Sequence, residues 1–460
     1  MNKIKLNYDV QRQEIDGFGA SGFGYSSKNI RRHKYCDDIM TLLFDRKKGA
    51  GLSILRNGIG DSAVGWGDDL NGPEGTIEPQ DGVWDWSVND TQIWLMQEAK
   101  KYGCDLFYSV PWSPPAWMKD NDSCSKGHLK KDMYRKFAEY LAEYVIGYKE
   151  HFGIDIYAIS PQNEPESAPS YSSCVYTPEE LCELVRDHIG PVFKERGVTA
   201  KLIVGEAANY DFDMMEKVAE NEEAMQYVDM FSAHGYWRDP PIKFEKAHSL
   251  GKKVWQSEYC AIQGRESGIT DGVKWARIIH EHMVTAESSA FFYWYLANQY
   301  YHNDEPLIHI NVEDNTFVVN KRLWTFANFS RFIRPGFVRV DMENIESELK
   351  ITTRPDPEVV LPPRHTIKEM FRKAAPAVYV SAYKNPQSDE LVIVAVNDTQ
   401  ENVEIDIDLS GVENADFAVF RTSNDEDLQE LHRISAKDGF LHIVLRPESV
   451  TTYTNQRDWK

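Results

Sequence analysis

The chain has 460 residues, and its 51 Lys and Arg against 72 Asp and Glu give a formal net charge of −21. This acidic balance argues against nucleic acid and anionic membranes as partners, because both bind clusters of Lys and Arg. The sequence has no run of about 18 apolar residues, so we predict no membrane-spanning segment. The length suits two or three domains, one of which could be a large α/β barrel.

Short apolar blocks alternate with segments of helical periodicity as far as residue 334. The predicted strands cover residues 17–22, 52–59, 105–112, 154–161, 201–207, 230–237, 253–259 and 290–297. The predicted helices cover residues 35–48, 90–101, 131–151, 178–196, 211–227, 242–250, 272–287 and 321–333. Eight strands that are each followed by a helix predict a (β/α)8 TIM barrel. A doubly wound open sheet is the alternative, but residues 17–22 lack the immediate helix and the later acid that a nucleotide-binding glycine turn needs.

After about residue 335 the pattern changes to short alternating or β-branched strands separated by turns, such as residues 378–383 and 391–396. This pattern predicts an antiparallel β-sandwich. The opening segment of the chain also alternates, and we expect it to join that sandwich. The predicted organisation is an N-terminal strand over residues 1–15, a barrel over residues 16–334 and a side domain over residues 335–460.

Cysteine usage and the N-terminus bear on the compartment. Six cysteines in 460 residues, with no Cys-x-x-Cys pair, are too sparse for a disulfide scaffold. We predict mostly reduced, packed thiols, with room for one bridge. The first seven residues lack the apolar core of a signal peptide. We expect either a cytoplasmic protein or a chain whose leader has been removed.

Reactive residues of a (β/α)8 barrel lie at the C-terminal ends of its strands. Glu164 follows the fourth predicted strand and Glu258 ends the seventh, and these two strands lie across the barrel mouth from each other. Two carboxylates about 5 Å apart suit retaining glycoside hydrolysis, in which one protonates the leaving oxygen and the other attacks the anomeric carbon. The alternative for either Glu alone is an ion pair with Arg56. Glu206, which ends the fifth strand, is interpreted as structural or as a distant substrate contact.

Other chemistries lack their residue patterns. His280 and His282 fall on different faces of one predicted helix, which does not suit a metal site. The sequence contains no Gly-x-Ser-x-Gly elbow and no Gly-x-x-x-x-Gly-Lys phosphate-binding loop. We therefore predict neither a metal nor a cofactor.

Five motifs follow one another along the chain. They are Ile15-Asp-Gly-Phe-Gly-Ala-Ser-Gly22, Pro111-Trp-Ser-Pro-Pro-Ala-Trp-Met-Lys119, Ser160-Pro-Gln-Asn-Glu-Pro165, Trp255-Gln-Ser-Glu-Tyr259 and Ser330-Arg-Phe-Ile-Arg-Pro-Gly336. Together they resemble glycoside hydrolase family 30, across the whole barrel and in the same order. The resemblance implies retaining hydrolysis of β-linked glycosides, with Glu164 as the acid/base and Glu258 as the nucleophile.

The resemblance leaves the substrate open. Most of the motifs look similar to the bacterial xylanase branch, which implies an endo-β-1,4-xylanase. Residues 171–179 look closer to the glucanase and ceramidase branches, so a β-1,6-glucanase or β-1,6-galactanase is the alternative. Residues 300–312 contain no Arg of the kind that the xylanase branch uses for a glucuronic acid branch. A barrel that binds carbohydrate without catalysis is the alternative from a different class. We expect a carbohydrate substrate and a monomer.

Polar side chains at the strand ends are predicted to support the two carboxylates. Asn163 can hydrogen-bond a sugar 2-hydroxyl, whereas Tyr236 and Arg56 can hold Glu258 ionised. His234, near the end of the sixth strand, is grouped with them as a substrate-binding residue.

Aromatic rings are predicted to bind the apolar faces of the sugar. Trp112 and Trp294 end the third and eighth strands, and we expect them on either side of the two Glu residues. Trp117 is either a more distal platform or packing beneath its own loop.

Overall fold

The computed structural model describes residues 2–61, 75–236, 238–261, 268–298, 306–355, 374–412 and 415–459. Strand β1 (Asn2–Glu14) precedes a closed barrel of parallel strands. The barrel strands are β2 (Gly17–Ser21), β3 (Ile54–Ile59), β4 (Leu106–Pro111), β5 (Ile156–Ile159), β6 (Lys201–Asn209), β7 (Met230–Tyr236), β8 (Lys253–Glu258) and β9 (Ala290–Tyr295). Strand β9 pairs with β2, which closes the barrel and confirms the (β/α)8 prediction over the open sheet.

The barrel strands are buried on both faces. Every residue of β3, β7 and β9 is buried, and β4 and β8 are partly exposed only at their first residue. Parallel strands covered by helices are apolar along their whole length rather than alternating. This is why short apolar blocks located all eight of them in the sequence.

The helices follow the predicted order with local differences. They are α1 (Tyr25–Arg32), α2 (Cys36–Phe44), α3 (Asp90–Lys101), α4 (Tyr134–Phe152), α5 (Pro178–Glu183), α6 (Gly190–Arg196), α7 (Asp213–Glu220), α8 (Glu222–Met225), α9 (Glu245–Ser249), α10 (Ile269–Val284) and α11 (Lys321–Ser330). Helix α1 was not predicted. A π-helical turn at Leu184–Ile189 joins α5 to α6. The predicted helix over residues 211–227 is divided because the Asn221 side chain caps α8 by accepting a hydrogen bond from the Ala224 amide.

The remaining strands form a small sheet and a large one. Strands β10 (Ala297–Asn298), β11 (Ile308–Asn311) and β12 (Thr316–Val319) make up the small sheet beside the barrel. The large sheet contains β1 together with β13 (Val338–Glu346), β14 (Ile351–Thr352), β15 (Val378–Lys384), β16 (Leu391–Asn397), β17 (Val403–Asp408), β18 (Asp416–Thr422), β19 (Gln429–Glu430), β20 (Ile434–Ser435), β21 (Phe440–Leu445) and β22 (Ser449–Thr454).

The N-terminal strand lies within this large sheet. Strand β1 pairs antiparallel with β13 and parallel with β17, and the other parallel pair among the described strands of the large sheet is β14 with β15. Ile393 of β16, Ile405 of β17 and Leu441 of β21 share one apolar core, so the sheet folds over on itself as a side domain. The predicted separate side domain of antiparallel strands is confirmed, with these two parallel pairs as exceptions.

The side domain packs firmly against the barrel. Asn328 of α11 donates to Thr452 Oγ1 (2.9 Å) and accepts from Thr422 Oγ1 (2.8 Å), and all three side chains are buried. Buried polar pairs of this kind fix the register of two packed layers.

The sequence was also used to predict membrane spans and disulfide bonds. No helix in the described ranges is long and apolar enough to cross a membrane. The six cysteines are free thiols, and five of them are buried.

Candidate active site

Glu164 and Glu258 meet in the mouth of the barrel. Glu258 is the last residue of β8, and Glu164 lies in the loop that follows β5. One carboxylate oxygen of each, together with a ring nitrogen of His234, lies within 4.8 Å of the others. The two side chains are 12% and 7% exposed, so both can touch a substrate. This separation suits retaining hydrolysis, which needs about 5 Å, rather than inversion, which needs about 6.5–9.5 Å.

Backbone hydrogen bonds hold the loop that carries Glu164. Glu164 has a φ of 44°, a left-handed conformation that is unfavourable for a residue with a side chain. Its amide donates to the Glu206 carbonyl (2.9 Å), and the Asn163 amide donates to the Pro111 carbonyl (2.8 Å). The loop is thereby attached to both neighbouring strands, which aim the Glu164 carboxylate at the barrel axis.

Two donors bind the Glu258 carboxylate. Arg56 Nη1 donates to Oε2 (2.6 Å), and the Tyr236 hydroxyl donates to Oε1 (3.0 Å). Burial raises the pKa of Glu258 above its ordinary value, while His234 and Arg56 oppose the rise. The structure therefore brings Tyr236 and Arg56 to the atoms where the sequence analysis expected them.

Arg56 connects three acceptors from a fully buried position on β3. Besides Glu258, its Nη2 donates to Glu206 Oε2 (2.6 Å) and to Asn163 Oδ1 (2.7 Å). The ion-pair alternative and the supporting role are thus both present. Glu206 is not a distant substrate contact, because it is fully buried and lies behind the guanidinium. Asn163 Oδ1 accepts from Arg56, and the predicted contact of Asn163 with a sugar 2-hydroxyl stays a prediction.

His234 lies between the carboxylates rather than against a substrate. Its Nδ1 is 3.2 Å from Glu164 Oε1, and its Nε2 is 3.2 Å from Glu206 Oε2 and 3.7 Å from Glu258 Oε2. The ring is fully buried, so the grouping of His234 with substrate contacts is corrected to a residue that orients the carboxylates. Burial lowers the pKa of His234, but Glu258, Glu164 and Glu206 outweigh it and raise the pKa to about 10.

Sequence reasoning missed two further neighbours of Glu164. The Tyr171 hydroxyl donates to Glu164 Oε2 (3.3 Å). Glu166 Oε1 accepts from the Ala208 amide (2.6 Å), and burial and the charge of Glu164 raise the pKa of Glu166 to about 7. Both residues lie in an irregular loop, where no periodicity marks a side chain as pointing inward. The one available signal for Tyr171 was its place in the segment compared with the glucanase branch.

The predicted indole platforms form one wall instead of two. The Trp112 and Trp294 rings are 5.5 Å apart, and Phe23 stacks on Trp112 at 4.5 Å with an interplanar angle of 8°. The Arg56 guanidinium lies 4.8 Å from the Trp112 ring and 5.4 Å from the Trp294 ring. The expectation that the indoles flank the two Glu residues from opposite sides is therefore wrong. Both side chains turn toward the same cation at the ends of their strands.

Trp117 is placed by its loop rather than by the two carboxylates. Its Nε1 donates to the Glu78 carbonyl (3.0 Å), and the Lys136 amine lies 6.0 Å from its ring centroid. The ring is half-buried against the core. These contacts favour the packing alternative for Trp117.

The described residues contain one cluster with the composition of a metal site, formed by Glu164, His234 and Glu258. The Arg56 guanidinium already contacts Glu258 at 2.6 Å, and His234 with its raised pKa adds a second positive charge. Two cations among these carboxylates oppose the binding of a dication. The cluster therefore suits proton transfer and nucleophilic attack better than metal binding.

Comparison with known proteins gives the same chemistry. The sequence model of glycosyl hydrolase family 59 matches residues 15–324. Glucuronoxylanase XynC of Bacillus subtilis (strain 168) is 27% identical over 467 residues, which cover 99% of this chain and 92% of its own. Endo-1,6-beta-D-glucanase BGN16.3 of Trichoderma harzianum is 28% identical over 220 residues, 42% of each chain. The glycoside hydrolase family 30 subfamily 8 xylanase Xyn30A of Clostridium acetobutylicum has a TM-score of 0.77 at 25% identity, covering 98% of this chain and 99% of its own.

Proposed function

The chain belongs to glycosyl hydrolase family 59 by its sequence model and to the family 30 glycosidases by its full-length relatives, and on that premise we propose that it is an endo-β-1,4-xylanase. The protein is a retaining β-glycosidase, so the alternative of a barrel that only binds carbohydrate is set aside. The observation that carries the xylan assignment is the extent of the likeness. In sequence, the likeness spans 99% of the chain for the glucuronoxylanase but 42% for endo-1,6-beta-D-glucanase BGN16.3.

In the first proposed step, Glu164 donates its proton to the leaving glycosidic oxygen. One oxygen of Glu258 bonds to the anomeric carbon as the bond from that carbon to the leaving oxygen breaks. Arg56 and Tyr236 orient Glu258 and disperse the charge it carries before the attack.

In the second proposed step, water attacks the same carbon and gives its proton to Glu164. The bond to Glu258 breaks, and both carboxyl groups return to their starting states. The sugar keeps its β configuration because the anomeric carbon has been inverted twice.

The proposed substrate does not need a uronic acid branch. Residues 300–312 contain Asp304 and Glu305 but neither Arg nor Lys. A uronate is an anion, so a segment of this composition offers it no Arg or Lys for charge pairing. We propose that linear xylan and glucuronic-acid-substituted xylan are cleaved with similar efficiency.

Separate digests of four soluble polysaccharides, analysed by chromatography of the products, test this proposal. The polysaccharides are linear xylan, glucuronoxylan, β-1,6-glucan and β-1,6-galactan. We expect a ladder of xylo-oligosaccharides from both xylans. The Glu258→Gln variant, prepared in the same way, controls for contaminating activity. Cleavage of the β-1,6-glucan or β-1,6-galactan alone would refute the xylanase assignment, and cleavage of glucuronoxylan alone would refute branch independence.

A further inference from the structure

Glu206 is a third carboxylate beside the reacting pair. It lies near the end of β6, and its side chain is fully buried. Its oxygens are close to four side-chain partners: the Tyr108 hydroxyl (2.8 Å), the Ser232 hydroxyl (2.7 Å), Arg56 Nη2 (2.6 Å) and His234 Nε2 (3.2 Å). A buried carboxylate is tolerated when its lone pairs are satisfied in this way. Because no surface of Glu206 is open, any effect on the reaction must pass through these partners.

The backbone of Glu206 is also unusual. Its φ is 64°, so that Glu206 and Glu164 are both left-handed, and the Glu206 carbonyl accepts the amide hydrogen of Glu164. Strained backbone at two residues that bond each other is typical of functional sites, where the surrounding structure holds the strain.

Burial raises the pKa of Glu206, but Arg56 and His234 outweigh it and hold that pKa well below its ordinary value. The groups that face His234 from the surrounding elements are Arg56 of β3, Glu164 of the loop after β5, Glu206 of β6, Tyr236 of its own strand β7 and Glu258 of β8. Arg56 and Glu206, which carry charges of opposite sign, both meet the imidazole at Nε2, whereas Nδ1 faces Glu164.

We propose that Glu206 is a positioning residue that holds Arg56 and a protonated His234 in the orientations in which they meet Glu258 and Glu164. The proposal rests on the two-carboxylate reaction proposed above, and it deepens that reaction. The charge of Glu206 balances one of the two cations, so the resting site is neutral when Glu258 is ionised and Glu164 carries its proton.

The charge balance also accounts for the change in role of Glu164. When Glu258 bonds to the sugar, it loses its negative charge, while Arg56, His234 and Glu206 keep theirs. The Glu164 carboxylate left by the proton transfer balances the excess positive charge of these three groups. This carboxylate then takes the proton of the attacking water.

Kinetics of Glu206→Gln and Glu206→Asp test the proposal in the full chain, on whichever glycoside the wild-type enzyme hydrolyses. Gln removes the charge at constant size and leaves the resting site with one excess positive charge. The alkaline limb of kcat/KM is expected to move to lower pH by about 1–3 units, because the carboxylate that favours the protonated form of His234 is removed. The kcat value is expected to fall roughly 10²-fold, as for a misplaced catalytic group.

Two comparisons separate positioning from simple stability. Glu206→Asp keeps the charge and should leave the alkaline limb in place while lowering kcat. Asp16→Asn is the matched control, because Asp16 is a buried carboxylate at the other end of the barrel, bonded to Lys253 and Trp255. It should lower the melting temperature and leave the limb unmoved.

An unshifted limb in a folded Glu206→Gln enzyme would overturn the proposal. If that variant does not fold, the kcat of Glu206→Asp tests the proposal instead. The shorter Asp side chain withdraws the carboxylate, so it cannot hold both Arg56 and His234. A wild-type kcat in Glu206→Asp would therefore contradict the positioning role. A wrong xylan assignment is visible separately, since the wild-type enzyme would then hydrolyse another glycan, on which the same limb is measured.

Discussion

Replacement of Tyr236 by Phe isolates one hydrogen bond to the proposed nucleophile. The Tyr236 hydroxyl donates to Glu258 Oε1 at 3.0 Å in a buried setting and lies 3.5 Å from Cys260 Sγ, and Phe removes only that oxygen. A hydrogen bond to a charged group contributes about 1.5–3 kcal/mol. Because the bond favours the ionised form of Glu258, its loss raises the pKa of Glu258. At about 1.4 kcal/mol per unit, the expected rise is about 1–2 units.

The pH dependence of kcat/KM measures this shift directly. The acidic limb reports the carboxylate that must be ionised in the free enzyme, so it should move to higher pH by about 1–2 units. Tyr210→Phe is the matched control, since it removes a buried hydroxyl that bonds Ser288 at 2.6 Å instead of a catalytic carboxylate. An acidic limb that stays in place in Tyr236→Phe, or that moves equally in Tyr210→Phe, would refute the reasoning.

Three other outcomes are expected. Glu164→Ala should lose activity on glycosides with poor leaving groups but keep it on dinitrophenyl glycosides, and azide should accelerate its second step. Equal loss on both kinds of substrate would count against the acid role. Trp112→Ala removes an indole that is 5% exposed and stacked on Phe23. The variant should lower the free energy of unfolding by about 3–5 kcal/mol in denaturant titrations. Unchanged stability would show that the ring is not packed. Burial lowers the pKa of His282 to about 3. Its contribution to stability is therefore present above pH 6.5 and is lost at about 1.4 kcal/mol per pH unit below that pH. In thermal melts, His282→Phe should flatten this acid dependence, whereas replacement of an exposed residue in His432→Gln should not.

The positions of the two carboxylates could be predicted because they follow from topology. A residue at or just beyond the C-terminal end of a barrel strand lies at the mouth whatever its neighbours are. Glu258 ends β8 and Glu164 follows β5, and the apolar pattern had already located both strands. Tyr236, the last residue of β7, was found for the same reason, whereas Arg56 lies within β3.

The directions of side chains could not be predicted in the same way. Strand order indicates where Trp112 and Trp294 begin, but each indole turns toward Arg56, and this depends on a cation contributed by a third strand. His234 was misjudged because its burial results from carboxylates on three other elements. The segment considered for a glucuronic acid contact lies partly outside the described residues, which resume at residue 306.

The account as a whole depends on Glu258 forming a covalent bond to the sugar. A dinitrophenyl 2-deoxy-2-fluoro-β-glycoside of the sugar that the enzyme hydrolyses can trap that bond. The enzyme is incubated with this compound and digested, and mass spectrometry of the peptides then measures the bond directly. The fluorine slows the second step, so the intermediate should accumulate as one added glycosyl mass on the peptide that contains Glu258. A label on Glu164 or Glu206, or turnover of the substrate with no labelled peptide and inverted product, would contradict it.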